Sequence, residues 1–157
     1  MNRNTNEYLP AILNGVTAVG VVLISFLVEL RFPMPKEIAK PLGLFIVYAG
    51  MSLAVWAAIY IRGAILGEVE PRLDTLVRDG PYRFVRHPVY LGMTIAFLGL
   101  VVALRSYLGL ISVFLLFLPS EIYRARLEKK ALARKFGSEW ENYAAQTGFI
   151  LPFIGKG

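Results

Sequence analysis

Apolar and polar positions along this chain come in blocks. Four apolar runs, residues 9–28, 41–61, 89–104 and 107–118, are separated by short polar connectors and one long one, residues 62–88. The first two runs are about the 20 residues that a helix needs to cross the hydrocarbon core of a bilayer. The last two are shorter, and only Arg105 and Ser106 stand between them. That predicts a helical hairpin with a tight turn whose Arg105 snorkels outward. The fourth run is expected to continue through Pro119 into the basic tail, kinked where proline removes a backbone bond. From Ser120 the apolar positions return with helical spacing as far as Gly137, a natural stop. The predicted fold is therefore all-α: one domain, residues 1–157, built as an integral membrane bundle of four transmembrane helices, the last two a hairpin, with a C-terminal helix outside the bilayer.

Composition supports the membrane class. Fifty-six per cent of residues are hydrophobic and the mean hydropathy is +0.55, too apolar for a soluble domain of 157 residues. There is no cysteine, which removes disulfides, iron–sulfur clusters and thiolate zinc sites. The net charge of +6 is gathered near the ends of the apolar runs, where it reads as orientation and headgroup contact; no nucleic-acid partner is expected. Arg3, the five arginines of residues 62–86 and the seven Lys and Arg from Arg124 onward make thirteen on one side. Arg31, Lys36, Lys40 and Arg105 make four on the other. The positive-inside rule then places both termini and the long connector in the cytosol. Glu29 and Arg31 follow the first run where a signal-peptidase site would carry small residues, so a retained anchor is expected.

Two further patterns matter for packing. Gly92, Ala96, Gly99 and Ala103 place small residues on one face of the third helix. That predicts close approach of a neighbour, either the fourth helix or the first, which offers Gly15 and Gly20. In the tail, Glu121, Arg124 and Glu128 sit at i, i+3 and i+7 and share a face. Such charges also suit a solvated amphipathic helix with i,i+4 pairs. Glu121, directly after a membrane-length run, stands out because intramembrane carboxylates are costly and often functional.

The chemistry-bearing segment is Gly80-Pro-Tyr82-Arg-Phe-Val-Arg86-His87-Pro88-Val-Tyr90, which holds the lone histidine. With one His and no Cys, no zinc-type spacing exists, and no nucleophile elbow or phosphate-cradling glycine loop is present. Alone, His87-Pro88 also reads as a helix start with Pro88 at the first helical position.

Three stretches taken in order resemble the membrane-embedded methyltransferases of the isoprenylcysteine carboxyl methyltransferase and phospholipid methyltransferase superfamily. They are DTLVRDGPYRFVRHPVYLG, RARLEKKALARKFGSEWENY and TGFILPF, within residues 73–153. The resemblance implies S-adenosyl-L-methionine as methyl donor, with S-adenosyl-L-homocysteine as product. By position it implies a donor site of Asp74, Thr75, Leu76, Val77, Tyr82, His87, Pro88, Val89, Tyr90 and Glu128. Arg86 would lie beside the reacting centre, Arg124 would face the acceptor, and no metal would be held. Tyr82 and Tyr90 could offer ring faces to the donor's sulfonium. It implies a variable region, 1–61, and a catalytic one, 62–157. Partners would be membrane lipids and a lipophilic substrate entering from the bilayer, with no obligate protein partner. Arg124 leans toward a carboxylate acceptor of the isoprenylcysteine type, with phospholipid N-methylation or a non-catalytic lipid-binding protein as alternatives. Family tails usually carry two consecutive glutamates, where this chain has Glu128 and Lys129.

Overall fold

A computed structural model describes residues 8–61 and 75–156; Asp74 and the preceding part of the long connector lie outside them. Among the described residues every regular element is helical, with two isolated bridges in place of any sheet. The elements are α1 (Leu9–Leu27), α2 (Lys36–Ile61), a 3₁₀ turn (Gly80–Arg83), α3 (Pro88–Ala103), α4 (Tyr107–Ser112), a π turn (Val113–Phe117), α5 (Leu118–Phe136) and α6 (Ser138–Gln146). Three helical stretches are long and apolar enough to cross a membrane: α1, α2 and the continuous Tyr107–Phe136. The fourth apolar helix, α3, has 16 residues, about 24 Å at 1.5 Å per residue. Leu23, Phe26, Phe45, Tyr48, Phe114 and Leu115 are exposed. So much apolar side chain facing outward suits contact with lipid.

Helix α2 begins five residues before the expected boundary. Lys36 opens it, and the N–H groups of Ile38 and Ala39 bond to the Pro35 carbonyl at 3.1 and 2.9 Å. The fourth helix does run through Pro119 as expected. The adjustment comes before the proline, where Leu118 N–H reaches back five residues to the Val113 carbonyl. This opens the hydrogen-bond ladder by one residue. At the start of α4, the Ser106 hydroxyl accepts from Gly109 N–H at 2.9 Å, a side-chain cap of a bare helix end.

The expected partner of the small-residue face is corrected. Arg105, between α3 and α4, takes φ 56°. The glycines of α3, however, pack against α2. Gly99 meets the backbone of Gly43 and Val47, and Gly92 meets Gly50 and Ala54, so the two helices run antiparallel in backbone contact. The reason is that α2 carries its own small residues seven apart, Gly43 and Gly50, matching Gly92 and Gly99. In α1, Gly15 and Gly20 have nothing within 4 Å of a would-be side chain. The other face of α3 enters a core of Val21, Val101, Val113 and Phe117, with Phe97 and Phe117 rings 4.4 Å apart. Thus α3 sits between α2 and the pair α1 and α4.

Polar links between helices fix the remaining contacts. Asn14 bonds Glu121 and Thr17 bonds Ser120 at 3.2 and 2.9 Å, joining α1 to α5. Such links between membrane helices contribute about 0.6–2 kcal/mol each. At the far end, Arg31 donates to the Ser25 and Leu104 carbonyls at 2.6 and 3.0 Å, closing the C-terminal ends of α1 and α3.

A side chain on Gly99 would collide with α2 backbone, whereas one on Gly20 would meet open space. Gly99→Ala is therefore expected to destabilise the detergent-solubilised protein by about 1–3 kcal/mol. Gly20→Ala should leave its melting temperature unchanged or slightly higher.

Candidate functional site

The 3₁₀ turn, the start of α3, one face of α5 and the body of α6 converge on one cavity of about 430 Å³, within the range of small-molecule sites. The turn exists because Gly80 takes φ 59° and Pro81 follows, which suits a chain reversal. It brings Tyr82 inward and hands the chain to His87, the residue just before α3, with Pro88 at the first helical position. This is the helix start read from the sequence, and it orients a buried imidazole.

His87 is held on three sides. Its ring stacks on Tyr90 at 5.5 Å and meets the edge of Phe149 at 5.0 Å. Its Nδ1 lies 3.5 Å from Glu128 Oε2. With Nδ1 carrying the proton toward that carboxylate, Nε2 is left as a buried acceptor with no partner among the described residues. Glu128 gathers the other polar groups: Tyr90 donates its hydroxyl to it, and Arg124 Nε approaches at 3.3 Å from one turn earlier. Arg124 also lies over the Tyr90 ring at 5.7 Å. One carboxylate thus joins the start of α3 to α5.

The C-terminal segment closes the site from below. Gly148 pairs with the strand-like residues 84–86, its carbonyl accepting from Arg86 N–H at 2.9 Å and its N–H reaching Phe84 at 3.2 Å. Gly148 has no room for a side chain against Leu151. The Arg86 side chain donates to the Gly148 and Gly155 carbonyls and lies over the Phe149 ring at 5.7 Å. Tyr143 of α6 donates its hydroxyl to the Tyr82 carbonyl at 2.7 Å. Burial raises the Tyr143 phenol to about 12. Burial, reinforced by the Glu128 charge, pushes the Tyr82 phenol well above its ordinary value. Both stay protonated across any ordinary pH. The Tyr82 hydroxyl, unlike that of Tyr143, has no partner among the described residues.

Of the residues expected at the site, Thr75, Leu76, Val77, Tyr82, Arg86, His87, Val89, Tyr90, Arg124 and Glu128 line this cavity together. Pro88 does not; fully buried at the start of α3, it sets the backbone behind the wall. Two of these residues also carry contacts that the sequence did not announce. The Tyr90 ring is already flanked by His87 and Arg124, because its hydroxyl is drawn to Glu128. The hydrogen bonds of Arg86 recorded above run to the C-terminal segment, because Gly148 docks against its own backbone. The sequence reading missed α1: Ala11, Asn14, Gly15 and Ala18 wall the apolar half of the cavity, with Met93, Phe117 and Glu121. A polar Asn14 within an apolar run was the available signal.

The phospholipid methyltransferase family matches residues 38–139, which takes in nearly all of α2, the turn, α3, α4 and α5. The chain belongs to that family. Among its relatives, a methanethiol S-methyltransferase of Crocosphaera subtropica is 35% identical over 75 residues, 48% of this chain and 28% of that protein. A probable protein-S-isoprenylcysteine O-methyltransferase of Oryza sativa subsp. indica is 29% identical over 145 residues, 88% of this chain and 76% of the relative. The structure of the eukaryotic intramembrane Ras methyltransferase ICMT (isoprenylcysteine carboxyl methyltransferase) superposes with a TM-score of 0.69 at 24% identity, over 99% of this chain and 55% of that one. That likeness establishes a shared fold. The chain spans just over half of that structure and under a third of the methanethiol relative.

If Arg86 anchors the C-terminal segment, Arg86→Ala should free it. Limited proteolysis is expected to cleave the variant after residue 146 at least about tenfold faster than the parent, as loss of charged hydrogen bonds of about 1.5–3 kcal/mol implies.

Proposed function

We propose that the chain is a membrane-embedded methyltransferase that uses S-adenosyl-L-methionine and a lipophilic acceptor drawn from the bilayer. The observation that supports it best is the shared cavity. One end is polar, with Glu128, His87 Nε2 and the Tyr82 hydroxyl, and the other end is walled by spanning helices. The residues present fit the donor. Two buried polar atoms without partners offer one hydrogen-bond donor and one acceptor, and Glu128 supplies a carboxylate for an amino or hydroxyl group. Leu76, Val77, Leu132, Phe136 and Trp140 provide an apolar and aromatic surface for a flat ring.

When bound, the donor supplies a methyl group on a positively charged sulfur. The chain's part is alignment, since methyl transfer is an in-line displacement helped chiefly by proximity. Tyr82, His87, Val89, Tyr90 and Glu128, with Thr75, Leu76 and Val77, would hold the donor, and Asp74 precedes them in sequence. Arg124 stands on the acceptor side of Glu128 and offers a cation to an anionic group there. The distribution of Lys and Arg, thirteen against four, supports a cytosolic site with both termini on that side and α3 as a fourth, short span.

Two acceptor readings follow. With Arg124 on the reacting group, the acceptor is a carboxylate of the isoprenylcysteine type. With Arg124 on a lipid phosphate, the nucleophile is an amine, as in phospholipid N-methylation. The buried carboxylate of Glu121 in the same cavity favours the second.

Calorimetry on the folded, detergent-solubilised protein should detect binding of S-adenosylhomocysteine. Glu128→Ala and His87→Ala should each weaken it about 10-fold or more, the worth of one charge-assisted hydrogen bond. A folded sample with no such affinity would leave a lipid-binding protein without catalysis.

A further inference from the structure

Glu121 lies two turns from Glu128 along α5, about 10 Å toward the apolar half of the cavity. Its side chain is buried, the residue being 3% exposed. Asn14, 8% exposed, donates to Glu121 Oε1 at 3.2 Å. Glu121 Oε2 and Asn14 Oδ1 have no partner among the described residues, and both residues line the cavity. Packing alone does not require this carboxylate. The Thr17–Ser120 bond already joins α1 to α5, and a glutamine would give the Asn14 link with no buried charge to desolvate. Arg124, three residues on, directs its Nε to Glu128 and rests on Tyr90, and leaves Glu121 Oε2 without a hydrogen bond from the described residues. Glu121 is left at the end where a lipophilic acceptor would present its reactive atom.

We propose that Glu121, oriented by Asn14, accepts the proton that the methyl acceptor sheds, and thereby selects acceptors that arrive protonated at their nucleophilic atom. This inference rests on the methyltransferase reading above. A lipid amine in its ammonium form, or a lipid thiol, meets the requirement. Its N–H or S–H bond breaks, the electron pair stays on nitrogen or sulfur, and an O–H bond forms at Glu121 Oε2. A carboxylate acceptor carries no such proton at neutral pH, and it would approach a like charge in a low-dielectric wall. Glu121 is thus the catalytic residue and Asn14 its positioning residue.

The test uses the full chain in lipid nanodiscs with three acceptors sharing one alkyl chain and ending in a primary amine, a thiol or a carboxylate. The parent should methylate the amine or the thiol at least about tenfold faster than the carboxylate. Glu121→Gln should lower kcat about 100-fold or more, the usual scale of a lost general base, with KM and the affinity for S-adenosylhomocysteine unchanged. Asn14→Ala should lower kcat by about tenfold with the same two quantities unchanged, a split that a folding defect would not produce. If the Gln variant no longer binds S-adenosylhomocysteine, Glu121→Asp takes its place, and it should keep the acceptor preference at reduced kcat. Fastest transfer to the carboxylate, transfer to none of the three, full kcat in Glu121→Gln, or loss of preference in Glu121→Asp overturns the proposal while donor affinity stands. A parent that binds no S-adenosylhomocysteine overturns the methyltransferase reading, and this proposal with it.

Discussion

Glu128 is the residue on which the site's geometry converges. Its carboxylate receives the Tyr90 hydroxyl, faces His87 Nδ1 and pairs with Arg124. Through those contacts it draws the first turn of α3 against α5, two elements separated by the whole α3–α4 excursion through the bundle. A half-buried carboxylate needs such company, since leaving it unpaired would be costly. The same partners are then no longer free to adopt other rotamers. His87 stacks on Tyr90, Arg124 lies over the Tyr90 ring, and the histidine's remaining nitrogen has no partner among the described residues. The pocket's polarity is a consequence of how one acid is satisfied.

A precise constellation also needs a stiff frame, and the backbone seam between α2 and α3 supplies one. With glycines at matched seven-residue intervals, the two helices touch backbone to backbone and leave no side-chain layer to readjust. The C-terminal segment braces the opposite side, where Gly148 lies against the chain before His87 and Arg86 holds the following residues. The helix outside these two devices is α1, attached through the Asn14–Glu121 and Thr17–Ser120 links and through the Val21 core. It forms the wall that an acceptor from the bilayer would meet, and it lies outside the region matched by the family.

Much of this was legible in the chain because it depends on local rules. Run length and hydropathy mark α1 and α2, His87-Pro88 marks the start of α3, and Gly137 marks the break before α6. The i, i+3, i+7 spacing of Glu121, Arg124 and Glu128 put them on one face, and that face does line the cavity. Less legible was anything decided by the choice among partners. A stripe of small residues announces a close approach without naming the neighbour. The α2 glycines that complete the seam lie amid a run whose other residues look uniformly apolar. The π turn before Pro119 was hidden as well, since proline requires an adjustment of the ladder without fixing where it occurs. The tie of Arg86 to Gly148 and Gly155 was hidden too, because it spans more than sixty positions.

In the proposed function, the polar end with Glu128 would take a soluble methyl donor and the apolar end with Glu121 a membrane-borne acceptor, along one cavity. That path is the central claim, and it is tested most directly by incubating the purified protein with methyl-labelled S-adenosylmethionine and a lipid extract of its native membrane, then resolving the labelled products. The account predicts label in a discrete lipophilic species, and none when Glu128→Ala replaces the parent. Label that stays entirely in the donor, with protein shown to be folded and the donor product bound, would contradict it.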